Sequence, residues 1–185
     1  MIADNYMETE TMEEIKTKTD KAIIIDERLL TSPLSNSFYH LLLKNHDVYS
    51  YHMDFKADPD QSARKIHNKI FDVFQKGYNN VSFIGYRESC ELFYSLYRLK
   101  GFYFDSVVLL NGTVDSEIFN NIKDKTKHIL CINQTYKADK LIKKDSYTLQ
   151  EIKTFIPFTH STRVAKEVFG WLTYGLYEST YLDDP

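Results

Sequence analysis

In the stretch VSFIGYRESC, residues 81–90, an apolar run meets a glycine, and within five residues of it stand Arg87, Ser89 and Cys90. A hydroxyl or thiol at a strand-to-helix turn can attack an acyl carbon once a base takes its proton. A guanidinium stays protonated and serves instead as a planar clamp for carboxylate or phosphate. Ser89 and Cys90 stand where the following helix begins, and the positive end of a helix dipole favours a thiolate. Both also suit structural roles, Ser89 as a cap and Cys90 as a small buried residue. Arg87 is equally two-sided. It is either the partner of Glu27, Glu88 or Asp139 in a buried ion pair, or the ligand of an external anion.

A base candidate lies in FIPFTHSTRVAKEVFGWL, where His160 stands between the last apolar run and the last amphipathic one. An imidazole there accepts a proton near neutral pH when a carboxylate fixes its tautomer. The alternative is that Thr159 or Ser161 caps the helix and His160 only flanks it. For the acid, NQTYKADKLIKKD offers Asp139, with Asp145 second. Lys137, Lys140, Lys143 and Lys144 surround it, so it reads equally as a solvated loop carboxylate, and the lysines as solvated surface or an anion site.

After the run KAIIID stand Asp26, Glu27 and Arg28, a charged group at the same kind of strand end, and Glu27 and Arg28 join Arg87 as candidate ligand-binding residues. The chain contains neither a dinucleotide-binding G-x-G-x-x-G nor a P-loop. His40, His46, His52, His67 and His128 show no close metal spacing. No cofactor and no metal are expected.

These residues need a frame. Short apolar runs at 21–26, 47–55, 79–85, 104–112, 127–133 and 147–155 alternate with helical periodicities at roughly 35–46, 61–76, 86–100 and 161–177, with a short helix expected at 115–123. Ser35 or Asn36 is placed to cap the first helix and Asp60 the second, which Gly77 closes. Strands alternating with helices imply right-handed crossovers, hence an α/β fold with a mostly parallel sheet of about six strands and helices on both faces. Residues 1–20 read as a flexible acidic tail and 21–185 as one domain.

The order of elements resembles the α/β-hydrolase superfamily in a small, lidless version. That family presents its nucleophile in G-x-S-x-G between a central strand and its helix, with the acid and then the histidine later in the chain. Laid on this chain, the motif puts Gly85 on the first glycine, Arg87 on the nucleophile and Ser89 on the second glycine. The resemblance implies a three-layer sandwich with His160 as base and Asp139 as acid. A His-Gly pair, which the family often carries after its first strand, is replaced by Asp26, Glu27 and Arg28, and a carboxylate there opposes a developing oxyanion. Together these departures imply an atypical hydrolase-like protein that binds a small anion or a protein partner without turnover. The alternative is an esterase or thioesterase using Ser89 or Cys90 with His160.

Composition bounds these readings. With 185 residues, 43% hydrophobic and 15% aromatic, the chain is long and apolar enough for one core. A formal charge of −3 gives no overall basic field, so nucleic acid is not expected as a partner. No segment has the roughly 18 apolar residues of a membrane span, so no membrane partner is expected either. Cys90 and Cys131 alone make no disulfide framework, which points to the cytoplasm. The aromatic ending WLTYGLYESTYLDDP leaves a homodimer open, since such residues are enriched at interfaces, with Tyr177 and Tyr181 the exposed candidates.

Overall fold

In the computed structural model, residues 14–15, 19–31, 37–54, 56, 58–98, 103–112, 126–143, 147–156 and 158–174 are described. The acidic tail apart from a few residues, the caps Ser35 and Asn36, the helix expected at 115–123, Asp145, Tyr177 and Tyr181 lie outside them.

The strands are β1 (Glu14–Ile15), β2 (Lys21–Asp26), β3 (Asp47–Tyr51), β4 (Asn80–Tyr86), β5 (Phe104–Leu110), β6 (Thr126–Thr135), β7 (Lys140–Lys143) and β8 (Thr148–Lys153). The helices are α1 (Ser37–Leu42), α2 (Pro59–Gln75), α3 (Cys90–Arg98) and α4 (Thr162–Tyr174). The strands form one sheet in the order β1-β3-β2-β4-β5-β6-β8-β7. All pairs from β3 to β8 are parallel, and only the two edges, β1 on β3 and β7 on β8, are antiparallel.

All six expected strands are present, β3 ending at Tyr51 rather than at residue 55. The two edge strands were not expected. β1 has two residues and β7 reads KLIK, exposed at both ends, so neither shows the continuous apolar run of a strand buried on both faces.

Period-2 alternation divides the core. Ile23, Ile25, Val108, Leu110, Leu130 and Ile132 face one side, where Leu42 of α1 and Val164, Val168 and Trp171 of α4 cover them. Ile24, Phe83, Val107, Leu109 and Cys131 face the other, covered by Ile66, Ile70 and Val73 of α2 and Leu92, Phe93 and Leu96 of α3. The result is a three-layer α/β sandwich.

The helix ends follow local chemistry. Asp58 rather than Asp60 occupies the cap position of α2, with Pro59 at its first turn, where a missing N–H costs nothing. Asp60 instead ties α2 to α3, accepting from Ser95 Oγ at 2.5 Å and Arg98 Nη2 at 2.8 Å. Gly77 closes α2 at φ 80°, a conformation that glycine adopts without a Cβ penalty. Ser161 caps α4, its Oγ accepting from Val164 N at 3.3 Å.

The chain runs from β2 outward to β3, then crosses back over β2 to β4 and continues the other way. Loops leaving β2 and β4 therefore diverge at their C-terminal ends. That crevice is where open α/β sheets place ligands. Ile25 pairs with Ile84 in register, so the segments starting at Asp26 and Gly85 emerge side by side.

Candidate functional site

Each strand bordering the crevice ends in a short 3-10 turn, Glu27–Leu29 after β2 and Arg87–Ser89 after β4. At the second, Arg87 lies at φ 53°, in the left-handed region. For a side chain of this size the conformation costs roughly 1–2 kcal/mol and marks a site held against local preference.

The close approach of α3 to the sheet makes the turn sharp. A Cβ on Gly85 would lie 3.1 Å from Cys90 Cα and 3.2 Å from Phe83 Cε1, so glycine lets the helix begin this near the strand without its backbone giving way. The strand-to-helix turn is therefore sharp, with a glycine two residues before its tip and a left-handed residue, Arg87, at the tip itself.

The Arg87 side chain is exposed. Its guanidinium carbon lies 5.5 Å from the Tyr86 ring centroid, and among the described residues it makes no hydrogen bond or ion pair. The buried pair anticipated for Arg87 belongs to Arg28. Arg28 Nε donates to both Asp26 oxygens at 3.1 and 3.2 Å, and Nη2 to Oδ2 at 2.8 Å. Nη2 also reaches Tyr86 O at 2.6 Å and Nη1 reaches Glu88 Oε2 at 3.1 Å. Asp26 is buried, so Arg28 supplies the charge that keeps its carboxylate tolerable there. The Arg28 guanidinium also stands 5.1 Å from the Tyr86 ring, which places two cations on one aromatic side chain.

Glu27, the remaining ligand-binding candidate, pairs with His52 Nδ1 from the segment after β3. Glu88 is held below the ordinary carboxylate range, first by its own backbone amide and then by Arg28.

Neither nucleophile candidate points into the crevice. Ser89 is fully buried. Its Oγ accepts from Tyr86 N at 2.7 Å and donates to Tyr86 O at 2.9 Å, so it closes the turn, as a cap does. Cys90 is equally buried, with Sγ 3.9 Å from Leu110 O, and burial first, then the neighbouring Cys131, pushes its thiol far above the usual range. Cys131 is pushed up to about 12 by burial alone. A dipole-activated thiolate is therefore corrected to a core thiol. We expect iodoacetamide at pH 8 to leave both cysteines of the native protein unmodified over hours and to alkylate both within minutes in denaturant. Prompt native labelling at Cys90 would contradict its placement.

His160 ends the 3-10 turn Phe158–His160 after β8 and is exposed, beside a helix that Ser161 caps. The acid assigned to it is engaged elsewhere. Asp139 accepts from Lys153 N at 2.6 Å and Arg163 Nη2 at 2.5 Å. Partial burial would raise its pKa, but these two donors outweigh that and hold it below the ordinary range. The structure thus gathers Glu27, Arg28 and Arg87 at one crevice and does not join Ser89 or Cys90, Asp139 and His160 by hydrogen bonds.

Three participants were not singled out from sequence. Tyr86 carries both guanidinium contacts, His52 pairs with Glu27, and Asn111, at φ 52°, turns the chain after β5 while its Oδ1 accepts from Gln134 N at 2.7 Å. Only Asn111 had a signal, since Asn-Gly marks a turn. No group of His, Cys, Asp and Glu suited to a metal occurs among the described residues.

The chain is similar in structure to a lipase-esterase related protein from Clostridium acetobutylicum ATCC 824, with a TM-score of 0.56 and 11% identity over 88% of this chain and 98% of that one. It is also similar to a predicted CIB-like hydrolase from Thermoplasma acidophilum, with a TM-score of 0.57 and 9% identity over the same shares. The fold is α/β-hydrolase-like. No family model and no curated protein matches the sequence. At such identities the likeness carries the α/β-hydrolase-like architecture alone. No helix among the described residues is long and apolar enough to cross a membrane.

Proposed function

We propose that this α/β-hydrolase-like protein binds a small organic anion, a carboxylate or phosphate, free or carried on a partner protein, at the switch-point crevice, and turns over no ester through Ser89 or Cys90. The observation that carries this reading is Arg87, left-handed, exposed and without an ion pair among the described residues, at the tip of the turn after β4. A planar guanidinium so presented is suited to bidentate capture of an oxyanion. Arg28 braces the site from behind, neutralising Asp26 and holding Tyr86 as a platform. The setting we infer is the cytoplasm, where the two free thiols stay reduced.

The test is calorimetric titration with succinate and with inorganic phosphate. Arg87→Ala is expected to weaken whichever anion binds at least tenfold, the loss of a charge-assisted pair of about 1.5–3 kcal/mol. Arg87→Gly is expected to lose the same affinity yet unfold at equal or higher urea, because glycine removes a left-handed cost of roughly 1 kcal/mol. Stability lost with affinity in Arg87→Gly would mean that Arg87 is a structural residue. Labelling by a fluorophosphonate or thiol-directed acyl probe that disappears in His160→Ala and in Ser89→Ala or Cys90→Ala would restore the hydrolase alternative and refute the binding reading.

A further inference from the structure

The corner of the sheet formed by β6, β8 and β7 holds large apolar side chains in water. Tyr136, Phe155 and Ile156 are 68%, 77% and 55% exposed, and the two rings lie against each other with centroids 5.7 Å apart. Thr135 pairs with Lys153 in register, so Tyr136, just past β6, and Phe155 and Ile156, just past β8, emerge together at the C-terminal edge.

Their presentation is fixed rather than floppy. Thr154 N donates to Thr135 O at 3.3 Å, Gln134 Nε2 donates to Thr154 O at 2.8 Å, and Ile156 N donates to Thr154 Oγ1 at 3.1 Å.

Around them stand exposed Lys137, Lys140 and Lys153. Of the nearby carboxylates, Asp139 is already held by Arg163 and the Lys153 amide, and half-buried Glu151 lies beside Lys140 in register. The corner is thus locally cationic although the chain carries a formal charge of −3.

Burying a side chain of this size is worth about 1.5–3 kcal/mol, which the fold forgoes here more than once. A stable protein interface needs roughly 800 Å² on each side, more than three neighbouring side chains supply. A second copy would set one lysine rim against another. A bilayer surface asks for less: apolar and aromatic tips at headgroup depth and lysines facing acidic lipid. The absence of a spanning helix among the described residues concerns crossing a bilayer, not resting on one.

We propose that this corner docks on an anionic lipid surface, with Tyr136, Phe155 and Ile156 entering the headgroup layer and Lys137, Lys140 and Lys153 facing acidic headgroups. Docking would turn the C-terminal edge of the sheet, and the Arg87 crevice with it, toward the membrane.

The experiment is co-sedimentation of the full chain with phosphatidylcholine vesicles, with and without about a third phosphatidylglycerol, at low and high salt. Binding is expected only to the anionic vesicles and falls as salt rises. The double variant Tyr136→Ser, Phe155→Ser lowers partitioning at least tenfold, and Lys137→Gln, Lys140→Gln and Lys153→Gln lower it about fivefold each. All five sites are exposed, so urea melts of these variants should overlay the wild type and separate lost docking from lost folding. No sedimentation with anionic vesicles, or binding that the double variant leaves intact, overturns the proposal. Retention on polyglutamate resin without vesicle binding would also overturn it, in favour of an acidic protein partner.

Discussion

Arg28→Ala is expected to destabilise the protein by about 3 kcal/mol, the loss seen when one member of a buried ion pair is removed and the other is stranded. Asp26 is 1% exposed at the end of a central strand, and Arg28 is its counter-charge, through three contacts between 2.8 and 3.2 Å. With the guanidinium gone, the hydrogen bond left to the carboxylate among the described residues is the one from Arg28 N, at 2.9 Å. An amide in its place needs no counter-charge. The double variant Asp26→Asn, Arg28→Ala should therefore regain much of the loss, with a coupling of at least about 1 kcal/mol in a urea-denaturation cycle. Recovery will be incomplete, because Arg28 also ties Tyr86 O across 58 residues of chain. Additive effects, or an Arg28→Ala variant as stable as wild type, would show that Arg28 is not what makes the buried Asp26 carboxylate tolerable.

That pair also shows why the sequence disclosed the frame more readily than the site. KAIIID and VVLL are apolar on consecutive residues because strands in the middle of a parallel sheet are covered on both faces, and this is visible without tertiary knowledge. KLIK carries no such signal, since an edge strand is half in water. The turn after β4 was legible as a spacing, Gly85 to Arg87 to Ser89, but not as a set of directions. A 3-10 turn between strand and helix decides which side chain faces the crevice, and it turns Ser89 inward onto Tyr86 and leaves Arg87 outside. The pairing of Arg28 with Tyr86 depends on the register of Ile25 against Ile84, which no local pattern encodes. Asp139 was legible as a carboxylate among lysines, yet its partner is Arg163 on α4, fixed only when that helix packs.

The second large effect is expected at Gly112, where the chain leaves β5. A Cβ there would lie 2.5 Å from Cys90 Sγ and 2.7 Å from Cys90 Cβ, distances that real contacts do not show. Cys90 Cβ is fixed to the first residue of α3, so it can move only with that helix. Gly112→Ala must therefore push the first turn of α3 away from the sheet, at an overpacking cost of about 2 kcal/mol. Cys90→Ala removes Sγ, the nearest atom, but keeps the Cβ clash, so the double variant should recover part of the loss and not all of it. Independent sites would instead add their losses. The same displacement should reach the site, because the Arg87–Ser89 turn leads directly into α3. Gly112→Ala is thus expected to weaken anion binding at Arg87 as well as stability, and Cys90→Ala in the same chain to restore both in proportion. Additivity of the two substitutions in urea denaturation, or stability restored without affinity, would separate the packing of α3 from the presentation of Arg87.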